Sequence, residues 1–93
     1  MPLQYLNALG YQQITSLSSA TTLTIPAGTQ LALVQAQSQS VRWRDDGTNP
    51  TATVGMLLAA GATLEYDGDA LGVISFIEMA ASATLNISYY GGS

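Results

Sequence analysis

The chain has 93 residues and a formal net charge of −4, with two Lys or Arg, six Asp or Glu, no His and no Cys. That length fits one domain with a modest core. The missing Cys and His remove disulfides, the usual ligands of zinc, iron–sulfur, haem and blue-copper sites, and Ser–His or Cys–His nucleophiles, so no such cofactor is expected.

Two arginines on an acidic chain offer no broad basic face, so no nucleic-acid partner is expected. No apolar run reaches the ~18 residues of a membrane span. The first basic residue is Arg42, so the N-terminus lacks the charged region of a secretory leader. Charged residues make up only 9%, and Ser, Thr, Ala, Gly, Gln and Val dominate, a composition poor in the Lys and Glu of exposed helices.

Residues 1–9 read as a strand, an arm or a helical turn. Segment 1–10 is therefore set apart as an N-terminal arm or first strand, ahead of a single β-sandwich domain over 11–93. Gly10 is a turn candidate. Residues 11–18 alternate loosely, with Tyr11, Gln13, Thr15 and Leu17 on one side, and a short strand over 22–26 turns Leu23 and Ile25 inward. After the Pro26-Ala27-Gly28 turn, residues 31–37 place Leu31 and Leu33 on one face and Ala32, Val34 and Ala36 on the other. Residues 41–44 set Val41 and Trp43 against Arg42 and Arg44.

Residues 53–58 are apolar but interrupted by Gly55, and 62–66 alternates Leu64 and Tyr66 with Glu65. The stretch 72–80 is apolar on both faces, with Val73, Ile77 and Met79 opposed to Ile74, Phe76 and Glu78. Residues 85–90 alternate cleanly, Leu85, Ile87 and Tyr89 against Asn86, Ser88 and Tyr90. Turn signals about every 8–12 residues predict an all-β fold: an antiparallel β-sandwich of about seven to eight short strands, jelly-roll or double Greek-key like. A weak echo between 22–47 and 63–91 suggests two similar β units packed face to face; regular strand length alone produces the same impression.

Three clusters could carry chemistry. Val41-Arg42-Trp43-Arg44-Asp45-Asp46-Gly47 holds both arginines and the single Trp. On a strand, Arg42 and Arg44 share one face at a backbone spacing of about 6.5–7 Å. They can clamp the carboxylates of the Asp45-Asp46 turn, grip an acidic patch on a partner, or bind a sugar or phosphate. Glu65-Tyr66-Asp67-Gly68-Asp69 gathers three carboxylates that could hold Ca²⁺, but the alternating ligands of an EF-hand are missing and Asp-Gly-Asp also suits a hairpin turn. A domain this small leaves little volume for a substrate cleft, so these carboxylates are not expected to form an enzyme site. Tyr89 and Tyr90 could enter an interface or stack on sugars, or one could pack inward while the other caps the rim. Arg42, Arg44, Asp45, Asp46, Tyr89 and Tyr90 are thus the candidate partner-binding residues. A surface this poor in charge, with a strand apolar on both faces, predicts burial against another chain, as a homo-oligomer (trimer or dimer) or on a larger assembly.

The run Val41-Arg-Trp-Arg-Asp-Asp-Gly-Thr-Asn-Pro-Thr-Ala-Thr-Val-Gly-Met-Leu-Leu-Ala-Ala-Gly-Ala-Thr-Leu-Glu-Tyr, with Ile74-Ser-Phe-Ile-Glu and Ala83-Thr-Leu-Asn-Ile-Ser-Tyr-Tyr, resembles small virion proteins of tailed bacteriophages over residues 22–90. The resemblance implies a β-sandwich located on the virion. Its foremost implied role is that of a head decoration (cement) protein, bound as an oligomer to the major capsid protein or another virion protein and stabilising the shell. A head-fibre base, a tail or baseplate fitting, and a glycan-binding adhesion module are the alternatives. It implies no catalytic residue.

Overall fold

The computed structural model describes residues 6–92. Among the described residues eight strands form: β1 (Asn7–Ile14), β2 (Thr21–Thr22), β3 (Leu31–Gln37), β4 (Val41–Arg44), β5 (Met56–Leu58), β6 (Thr63–Asp67), β7 (Ser75–Glu78) and β8 (Thr84–Gly91), with a 3-10 turn over Asp69–Gly72. They make two antiparallel sheets, the first ordered β1-β8-β3-β6 and the second β2-β7-β4-β5. Buried residues from both, among them Ile14, Val34, Leu85, Ile87 and Tyr89 of the first and Val41, Leu58 and Phe76 of the second, belong to one core cluster. The fold is an all-β sandwich, as the alternating runs predict.

The pairing is nested. β1 lies beside β8, β2 beside β7, β3 beside β6 and β4 beside β5. Seven connections join these strands in sequence; every one except β4–β5 crosses from one sheet to the other. Two expectations change as a result. The halves of the chain do not form two units packed face to face: each sheet draws strands from both halves. Asp67-Gly68-Asp69 is not a hairpin turn either, because β6 and β7 lie in different sheets and the chain passes between them through the 3-10 turn.

Strand periodicity decides which side chains go inward. On β8, Leu85, Ile87 and Tyr89 are buried while Asn86, Ser88 and Tyr90 line the outer face. On β3, the Ala32–Val34–Ala36 face is the buried one. Burying apolar area at about 25 cal/mol per Å² is what drives this choice. β1 departs from the expected reading. It begins at Asn7, crosses the anticipated 10/11 boundary and ends at Ile14, and Gly10 marks a register irregularity within it rather than a turn. Gln12 and Ile14 turn inward, opposite Ile87 and Leu85, which leaves Tyr11 and Gln13 outside. Residues 1–5 of the anticipated arm lie outside the described residues. β5 shrinks to three residues because Gly55, at φ 144°, ends the extended run before Met56.

Candidate functional site

The loop between β4 and β5 is the most elaborate in the molecule, and the two arginines shape it. Both sit on the outer face of the second sheet, as their spacing predicts, while Val41 is buried and Trp43 packs on the core. They take different partners. The Arg42 Nη1 donates to the carbonyl of Gly55 at 2.9 Å and its Nε to that of Ala52 at 3.3 Å, pinning the far side of the loop to the sheet. The Arg44 Nε donates to Asp46 Oδ1 at 3.1 Å and its Nη2 donates to Asp46 Oδ2, a two-pronged ion pair. That pairing lowers the Asp46 carboxyl from its ordinary range, helped by the Thr48 amide, and raises Arg44. Asp45 accepts a hydrogen bond from the Tyr66 hydroxyl of β6 in the other sheet. Desolvation and then the Asp45 carboxylate push Tyr66 up to about 12. The Trp43 ring meets Tyr66 edge-on at 6.0 Å. Of the alternatives for the Arg pair, the carboxylate clamp describes Arg44 with Asp46, whereas Arg42 binds the backbone carbonyls of Ala52 and Gly55 instead. A depression of about 410 Å³ remains beside Arg44 and Asp46, walled by Val54, Gly55 and Met56.

The tyrosines part company. Tyr89 is buried and its hydroxyl donates to Gln12 Oε1 at 2.6 Å, which removes it from the candidate contact surface. Tyr90 is half-buried on the outer face of the first sheet, in the opposite layer from Arg42 and Arg44. Glu65 is exposed on β6, and no group of three acidic side chains gathers among the described residues; the Asp69 side chain lies outside them.

Sequence reading anticipated an apolar outward face on 72–80 but not the contrast between the outer faces of the two sheets. Of the exposed large apolar side chains, Val54, Met56, Leu57, Val73 and Met79 belong to the second sheet or its flanks, and Leu9 and Tyr11 to β1 of the first. Register places Ile77, Arg42 and Leu57 side by side across β7, β4 and β5, so the guanidinium stem lies between two apolar neighbours. The first sheet instead presents Tyr11, Gln13, Gln35, Gln37, Asn86 and Ser88. The two-sided apolarity of 72–80 was one sequence signal for the first of these faces. The recurrence of amides two residues apart was available for the second, but only strand order brings them together. No helix of the described residues is long and apolar enough to cross a membrane. Comparison with protein-family models, curated proteins and solved structures returns no match.

Proposed function

We propose that this chain is a structural component of a tailed-bacteriophage virion, a head decoration protein that docks as an oligomer on the capsid surface and strengthens it. The apolar outer face of the second sheet carries this reading. Outer faces of small monomeric sandwiches are normally polar, and a cluster of exposed apolar side chains marks a contact surface. Here Leu57 stands 57% exposed on a short edge strand beside Arg42, and Val73 and Met79 are exposed at the two ends of β7, with no Lys or Pro in β5 to discourage pairing. The nested strand order reads as a double-sheet jelly roll, an architecture used in viral shells. The sequence resemblance points the same way. The mechanism is additive: each copy contributes a modest interface, and copies linked in an oligomer hold several capsid subunits at once.

The test is particle composition. Virions purified from a host infected with the phage that encodes this chain should carry many copies over the head. Particles lacking it should release DNA at lower temperature, and adding back the purified chain should restore the release temperature, whereas Leu57→Asp should not. Absence from the virion, or a few copies confined to the tail, would overturn the assignment.

A further inference from the structure

The first sheet offers a second, chemically distinct surface, and we propose that it binds neutral carbohydrate chains. Its outer face carries a hydrogen-bonded net of side chains centred on Asn86. The Asn86 Oδ1 accepts from the Tyr11 hydroxyl at 2.7 Å and from Gln13 Nε2 at 2.9 Å, and its Nδ2 donates to Gln37 Oε1 at 2.8 Å and Gln35 Oε1 at 3.4 Å. Three strands supply these groups: β1, β8 and β3. Asn86 spends both donors and both acceptor lone pairs on the net, whereas Gln13, Gln35 and Gln37 each spend one function on it and retain others for a ligand.

The net also fixes an aromatic platform. Tyr11 is 64% exposed, yet its hydroxyl is tethered to Asn86, so the ring is held in place before any ligand arrives. A ring presented in this way offers an apolar face to the C–H side of a sugar while the amides beside it meet hydroxyls. Tyr11, Leu33, Gln35, Thr63, Asn86 and Ser88 surround a shallow depression of about 200 Å³. That is smaller than the ~300–1,000 Å³ pockets of compact ligands. It suits one ring at a time of a longer chain running over the sheet.

Charge selects the class of ligand. β1, β3 and β8 contain no charged residue, Glu65 is exposed on the neighbouring β6, and the whole chain carries −4. Anionic glycans find no cation on this face and a repelling field around it. Neutral hexose or N-acetylhexosamine chains meet neither obstacle. The surface lies in the layer opposite the apolar face assigned to the capsid, so a docked protein would keep it available.

The inference goes beyond the virion role and is tested on the isolated chain, so the two can fail separately. ¹⁵N-labelled protein is titrated with linear hexasaccharides of glucose, mannose, galactose and N-acetylglucosamine, and with a heparin-derived hexasaccharide. The side-chain amide signals of Gln13, Gln35, Gln37 and Asn86 should shift and saturate with at least one neutral chain and not with the heparin fragment. Tyr11→Ala should weaken binding about ten-fold or more, Tyr11→Phe much less, and Leu57→Ser on the other sheet not at all. No shift with any neutral chain, shifts confined to the second sheet, preference for the heparin fragment, or full binding by Tyr11→Ala would each overturn the proposal.

Discussion

Individual side chains here do work that their types only partly advertise. Gly91 sits where a β-carbon would run into the Gly28 carbonyl and reach Leu9 Cδ1, so Gly91→Ala should cost about 1–3 kcal/mol of stability in urea unfolding. Gly55 combines a positive φ with a site where a β-carbon would lie 3.1–3.2 Å from Trp43, Arg42 and Pro50, so no other residue closes the loop as well. Arg42 spans two carbonyls that a lysine, a point charge without the planar fork, cannot both reach. Arg42→Lys should lower stability by about 1–2 kcal/mol and speed proteolytic nicking within residues 45–55. Ser75 makes the opposite case. Its Oγ is buried without a hydrogen-bond partner, so Ser75→Ala should leave stability unchanged or raise it by about 1 kcal/mol. That Arg42 and Arg44 share one face was legible from spacing on a strand, and the Arg44–Asp46 pair was among the alternatives; the carbonyl partners of Arg42 were not anticipated. The inward turn of Gln12 was not. A half-buried glutamine is tolerated there only because Thr24 and Tyr89 satisfy it, and those partners lie 12 and 77 positions away.

At the level of elements, the sandwich is tied across its layers by polar contacts as well as by the core. Tyr66 of β6 reaches Asp45 at the end of β4 in the opposite sheet, whereas the tie from Tyr89 of β8 to Gln12 of β1 lies within the first sheet. Tyr66→Phe removes the hydroxyl tie to Asp45 and should cost about 1 kcal/mol, with the Trp43 fluorescence reporting the loosened contact. Both hydroxyls are pushed up to about 12 from 10, Tyr66 by desolvation and Asp45, Tyr89 by desolvation. The folded state thus holds these protons more tightly than the unfolded chain. Their contribution is complete below about pH 10 and is lost as pH climbs from 10 to 12. Alkaline unfolding followed by circular dichroism should steepen in that window, and Tyr66→Phe with Tyr89→Phe should flatten it. Strands β4 and β8 were readable because apolar and polar residues alternate along them, and β3 because an apolar run lies between turn signals. β2 and β5, expected over 22–26 and 53–58, shrink to Thr21–Thr22 and Met56–Leu58, because strands this short owe their pairing to a longer neighbour rather than to their own composition.

The whole molecule is two-faced: one sheet is coated with amides and hydroxyls, the other is apolar around a tethered arginine. On the proposed reading, the purified chain should sediment as a dimer or trimer, and Leu57→Asp with Ile77→Asp should shift it toward the 9.7 kDa monomer without loss of the β-sheet spectrum. A monomer that stays soluble at every concentration would contradict the docking role of the second sheet.

Composition and period-two alternation were enough to define an all-β sandwich, the sets of side chains that share a face on β8 and β3, and the exclusion of the usual Cys- and His-based chemistries. Those properties are local or additive, so they survive without knowledge of which strands meet. The nesting of first strand on last, the passage of Asp67-Gly68-Asp69 between layers and the division into a polar and an apolar face were decided by tertiary structure. Each depends on pairings between residues far apart in the chain, such as Tyr11 with Asn86 or Arg42 with Ile77. A strand's own pattern says which side chains share a face, and only its neighbours decide what that face becomes.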